Sequence, residues 1–238
     1  MKLYLETVSF DESIEINQYV PLDGIIMSMD LLIKDPSVYS IEETAKKLLE
    51  ALMPSQDLFV PIVQSDFRAM VSECRKMNAL AENIICLLPA SPAGYMAMKV
   101  CGRQKIRAAA WNALSPEQLV FAGRNDAILE LADVKSVNRT LSLEDFLNQA
   151  DALPDHLAEE KLVITGLRTP AAYRSALLKE CAGIGADYDL YQELLLSEQA
   201  MKEQSEVLQN WMEKELTADD LEDSAKRDSD EAHSPDLK

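Results

Sequence analysis

The chain has 238 residues with 41 acidic and 23 basic side chains, a formal net charge of −18. So acidic a balance argues against nucleic acid and anionic membrane surfaces as partners, because both select a basic footprint. Apolar residues make up 47% of the chain, enough for a substantial buried core and too many for general disorder.

The N-terminal MKLYLETVSFDE turns acidic at once, unlike a signal peptide with its charged start and apolar run. No apolar run approaches the roughly 18–20 residues of a membrane span. Cys74, Cys86, Cys101 and Cys181 form no CxxC pair and read as small core or surface residues of a reduced protein. The expected location is cytoplasmic. Only two histidines occur, His156 and His233, so a Ser-His-Asp triad, a Cys-His pair or a His-ligated metal site is not expected. The seven glycines are scattered and build no phosphate loop. No cofactor is implied.

In chain order, short β-like runs alternate with helical stretches. LYLET (3–7) precedes an amphipathic segment from Glu12 to Val20. GIIMSM (24–29) precedes SIEETAKKLLEAL (40–52), in which Ser40 and Glu43 make a capping box. DLFVPIV (57–63) leads to a helix from about Ser65-Asp66, and NIICLL (83–88) to one around Gly94–Val100. KIRAAAW (105–111) is followed by Ser115-Pro116, an N-cap and first-turn proline. AILELADV (127–134) precedes LSLEDFLNQA (141–150), and KLVITGL (161–167) precedes Thr169-Pro170 and a helix to about Cys181. GIGADYDL (183–190) feeds a long helix to about Leu216.

Eight strand–helix units in one chain point to a (β/α)8 TIM barrel before a doubly wound sheet. The expected organisation is a barrel with its long C-terminal helix over residues 1–215, then an acidic disordered tail over 216–238. From Glu215 onward, nine acids and three bases give −6 in 24 residues with few large aliphatics. Such a segment stays solvated or serves as an interaction arm. Leu190, Leu194, Leu195, Met201, Val207, Leu208, Trp211 and Met212 form an apolar helical face.

LYLET at the start, the G-x-x-x-S turn after strand two, NIICLLP, and LRTP after strand seven together resemble the transaldolase family. The nearest branch is the small fructose-6-phosphate aldolases. The resemblance covers residues 1 to about 215 and is carried by the colinearity of all eight units. It implies a Schiff-base mechanism, in which a strand-four lysine attacks a ketose carbonyl. A strand-one carboxylate and a strand-six tyrosine would manage protons, and groups after strands six and seven would hold phosphate. The nucleophile must be a nearly neutral amine in a desolvated mouth.

Carried onto this chain, that lysine position is Leu87, and the strand-one carboxylate is Glu6. After strand two, the family's threonine and asparagine fall at Ile26 and Ser28. A strand-three glutamine becomes Pro61, a small polar residue on strand five becomes Trp111, and the tyrosine falls at Asp133. On strand seven the phosphate-binding serine becomes Gly166, while the basic residue is kept as Arg168. The second phosphate-binding arginine is either Arg139, by the wording Val137-Asn138-Arg139, or falls at Ser136 in the gap-free register.

Leu87 also reads simply as barrel core. Lys135 is the one lysine expected at a strand's C-terminal end, with the parity of Asp133. It is either a displaced nucleophile or a solvated side chain, paired or not with Asp133. Glu6 is either a proton-transfer group or a structural acceptor. The resemblance implies a sugar phosphate or other small anion as ligand, and homo-oligomers through the C-terminal helix. A protein partner is the alternative.

Overall fold

A computed structural model describes residues 1–36, 38–139, 141–153, 160–179, 181–196, 201–212 and 214. The expected acidic tail, His156 and His233 lie outside the described residues. The chain divides into two units, Met1–Gln192 and Glu193–Lys238.

The first unit is a closed barrel of eight parallel strands in sequential order. The strands are β1 (Lys2–Glu6), β2 (Gly24–Ile26), β3 (Asp57–Pro61), β4 (Ile84–Pro89), β5 (Ala108–Trp111), β6 (Glu130–Asp133), β7 (Leu162–Leu167) and β8 (Gly183–Asp187). Around them run α1 (Phe10–Tyr19), α2 (Met29–Lys34), α3 (Ile41–Ala51), α4 (Phe67–Asn78), α5 (Pro92–Arg103) and α6 (Pro116–Gly123). They continue with α7 (Val134–Val137), α8 (Leu143–Asp151), α9 (Pro170–Leu177) and α10 (Tyr188–Leu195). The (β/α)8 fold expected from the alternation is therefore present, with two additional short helices, α2 and α7, directly on strand ends. In the second unit residues 201–212 are helical, and Met201, Val207, Leu208, Trp211 and Met212 are exposed. The Trp211 ring stacks under the Lys214 ammonium.

Helix starts follow the local chemistry. Ser40 Oγ accepts from Glu43 N–H, Asp66 accepts from the Arg68 and Ala69 amides, and Thr169 Oγ1 accepts from Ala172 N–H. Each satisfies a donor that the first helical turn leaves open. Prolines open α5, α6 and α9, where a missing N–H costs nothing.

Strand parity builds two cores. Tyr4, Ile26, Phe59, Ile85, Leu87, Ala109, Leu131 and Val163 pack together inside the barrel. Their alternates, including Ile25, Leu58, Val60, Ile84, Cys86 and Leu88, pack outward against α3, α4 and α5. Tyr4 meets Phe59 edge-to-face at 5.1 Å between ring centroids, a favoured aromatic geometry. All four cysteines are buried and free. At the strands' N-terminal end, buried Asp57 pairs with Lys2 at 3.3 Å and Arg107 at 2.8 Å. That end of such barrels serves stability. No helix among the described residues is long and apolar enough to cross a membrane.

Glu130 breaks the apolar outer layer. It opens β6 and is 1% exposed; neither carboxyl oxygen makes a hydrogen bond of ordinary geometry. Burial pushes its carboxyl up to about 8, opposed only in part by the Lys161 ammonium and the Gly123 amide. The folded state thus holds a proton that the unfolded chain releases near pH 4.5, so stability falls as pH rises between those values. In urea titrations, Glu130→Gln should be more stable than wild type by several kcal/mol at pH 8 and by much less at pH 5. A wild type whose stability does not fall over that range would refute the assignment.

Candidate functional site

At the C-terminal strand ends the barrel opens into a cavity of about 350 Å³. Residues from all eight strands line it. Among the positions singled out in the sequence, Glu6, Ser28, Leu87, Trp111, Asp133, Lys135, Arg139, Gly166 and Arg168 are all present. Ser136 lines it too, so either register of strand six leads to the same opening. The residues expected to have lost their chemistry make its apolar wall. Leu87, Pro61 and Trp111 stand with Ile26 and Leu131 along the lining. Leu87 is 4% exposed and belongs to the inner core. Pro61 closes β3, where its missing donor interrupts little, and Ile62 N–H resumes the ladder to the Leu87 carbonyl at 3.0 Å. Trp111 narrows the mouth without filling it. Its indole N–H is buried without a hydrogen-bond partner among the described residues.

The polar side of the cavity is built around Glu6. Only 3% exposed, its carboxylate accepts from the Gly166 amide and, at 3.1 Å, from Arg168 Nη2. Arg168 Nε reaches Asp187 Oδ2 at 3.1 Å. One guanidinium therefore ties together the ends of β1, β7 and β8. Burial dominates the Glu6 carboxyl and raises it to about 7, with Arg168 and the Gly166 amide holding it lower than burial alone would.

Two glycines make room for this arrangement. Gly166 has φ +73°, and a Cβ there would lie 2.2 Å from Asp133 Oδ2. The serine that the resemblance implies at this position has no room. At Gly185 a Cβ would sit 3.1 Å from Ile26 Cδ1 and 3.2 Å from Glu6 Oε1, tighter than ordinary van der Waals contact.

Two expectations shift. Lys135 is in the first turn of α7 rather than on the strand, with its side chain 67% exposed and its amine 3.2 Å from Asp30 Oδ2. Asp133 does not pair with it; its Oδ1 caps α7 by accepting from Ser136 N–H at 2.9 Å. The other lysine at the cavity, Lys34, ends α2 and is exposed. Neither amine is desolvated, the condition that makes a lysine nucleophilic. Asp187, Thr165, Asn112 and Asp30 also line the cavity and were not singled out from the sequence. Asp187 could have been found from parity, since Gly183, Gly185 and Asp187 alternate along β8. Among the described residues no group of three or more His, Cys, Asp or Glu side chains is arranged to hold a metal ion.

No family model matches the chain. Two curated relatives are named probable transaldolase. The one from Parabacteroides distasonis is 27% identical over 128 residues, 53% of this chain and 58% of the relative. The one from Brevibacillus brevis is 27% identical over 127 residues with the same shares. The matched region spans little more than half of those relatives' length. A solved structure, a cube-shaped porous protein cage designed by fusing symmetric oligomeric domains, aligns with 99% of this chain and 87% of its own. The TM-score is 0.56 at 12% identity, a likeness of fold alone. The chain is thus transaldolase-like in sequence over the matched half and a (β/α)8 barrel in architecture.

The guanidinium's role has a direct check. Following the Glu6 carboxyl by ¹³C NMR should give a midpoint near 7 in wild type. In Arg168→Gln, loss of the counter-charge should move it up by about one unit or more. An unmoved midpoint would mean that Arg168 does not govern Glu6.

Proposed function

We propose that this protein is a transaldolase-like barrel of carbohydrate metabolism that no longer performs Schiff-base carbon–carbon chemistry and keeps its mouth for binding a sugar phosphate or related small anion. The observation that carries the reading is Leu87, an aliphatic side chain on the cavity wall at the end of β4. A ketose carbonyl there would meet no amine. The loss is not confined to one position, because Pro61, Trp111 and Gly166 also depart from the family's polar pattern. What persists is a buried carboxylate at Glu6, held so that its charge is sensitive to pH near neutrality. Such a group suits proton transfer, and in this reading it is what remains of the proton-handling machinery.

The alternative is an active aldolase or transaldolase with Lys135 as a displaced nucleophile, favoured by one fact: Lys135 lines the same cavity. Its exposure and its ion pair with Asp30 weigh against it. The proposed setting is cytoplasmic, without nucleic acid or membrane contacts. The exposed apolar side chains of 201–212 are proposed to serve homo-oligomer formation, or docking of a protein partner.

The protein incubated with fructose 6-phosphate or dihydroxyacetone and then reduced with borohydride should show no mass adduct on any lysine. An adduct, at Lys135 above all, would establish the alternative. Leu87→Lys alone should recover little aldol cleavage, since the wall around it is not built to hold the polyol. Cleavage at rates ordinary for enzymes, about 1–10³ s⁻¹, would show that the other departures matter little.

A further inference from the structure

Between helices α3 and α4, on the outside of the barrel, lies a second cavity of about 460 Å³. It shares no lining residue with the mouth. Buried Met77 and half-buried Ile41 and Ala69 are its apolar part. Its charged lining is Glu42, Glu73 and Lys76. Glu42 is spent on Lys46 at 2.8 Å; Lys46 and, to a smaller extent, Lys76 hold its carboxyl below the usual range. The other two are unspent. Glu73 and Lys76 stand three residues apart on α4, a spacing at which opposite charges ordinarily pair. Neither makes an ion pair among the described residues. One carboxylate oxygen of Glu73 is also shut off from water without a hydrogen-bond partner, a state that carries a penalty until a donor arrives. Helix α3 begins at the same cavity. Its cap, Ser40, satisfies the Glu43 amide and leaves other first-turn amides open, a positive pole on the side that Lys76 reaches.

We propose that this cavity is a binding site for a free α-amino acid with an apolar side chain. The ligand's ammonium donates to Glu73, whose carboxyl turns about its last, soft torsion to present the unpartnered oxygen. The ligand's carboxylate lies against Lys76 and the open amides of α3, as anions do at helix starts. Its side chain covers Ile41, Ala69 and Met77. Two opposite charges left unpaired on one helix match a molecule that carries both charges on a single carbon. A simple anion would meet Glu42 and Glu73 as well as Lys76, and a simple cation would leave Lys76 unanswered. No covalent step is involved. The site stands apart from the mouth, so the outcome of borohydride trapping has no bearing on it.

The probe is L-leucine, titrated into the ¹⁵N-labelled protein at constant ionic strength, since screening alters every exposed pair. Amide signals of Gln64, Ser72 and Glu73 should move while that of Gly166 stays still, with a dissociation constant of about 1 mM or tighter. N-acetyl-L-leucine lacks the ammonium and isopentylamine lacks the carboxylate; each should bind weaker by about tenfold or more. Glu73→Gln should weaken leucine by about tenfold or more and leave N-acetyl-L-leucine within about twofold. Lys76→Met should weaken leucine similarly and leave isopentylamine within about twofold. Lys76 is exposed and Glu73 half-buried, so both substitutions leave the core intact. The proposal is overturned if leucine up to about 10 mM moves no amide at the cavity. It is equally overturned if either blocked derivative binds as well as leucine, or if either variant binds leucine as well as wild type.

Discussion

The mouth of this barrel depends on keeping one carboxylate dry. Glu6 points into the lumen from β1, where a free charge would be expensive, and the surrounding chain is shaped to make it tolerable. Arg168 supplies a counter-charge from just past β7, and the Gly166 amide supplies a hydrogen bond. Asp187 holds the far side of the guanidinium. Each of these groups then constrains its own neighbours. Gly166 is suited to glycine because its backbone is left-handed and Asp133 stands against it; at Gly185 a side chain would crowd Glu6 and Ile26. The polar half of the mouth is one connected arrangement, and the apolar half, with Leu87 and Trp111, closes around it.

Much of this architecture was legible in the chain before any coordinates. The count and order of the eight strands followed from apolar runs separated by capping serines, aspartates and prolines, because each such signal is local. Short helices were not legible. Four residues, as in α7, contain too few positions for a period of 3.6 to declare itself, so Lys135 was expected at the C-terminal end of strand six and is found in the first turn of the helix that follows it. The Glu6–Arg168 pair joins residues 162 apart, and no pattern in a single sequence encodes that contact. Asp187 escaped notice because its strand, GIGAD, carries glycines on the inward face where apolar side chains would ordinarily mark a lumen. Those glycines exist to make space for Tyr4 and Glu6, a reason visible only from the other strand.

The same contrast separates the proposed loss from the proposed retention. The first can be read from one position, since leucine at the end of β4 offers no nucleophile under any geometry. The second cannot, because it lies in how unlike groups are brought together. Lys34 and Asp30 are unremarkable on an exposed helix. Placed opposite Lys135 by barrel closure, they become part of the same opening as Glu6 and Arg168.

The two raised carboxyls also change what folding does to the solvent. Near pH 7 the folded chain keeps most of a proton on Glu130 and about half of one on Glu6, whereas the unfolded chain holds almost none on either. At these two sites folding therefore draws protons out of the buffer, and the heat measured for it includes the buffer's own ionisation. The same protein would show different apparent folding enthalpies in phosphate and in Tris, with no change in any contact within it.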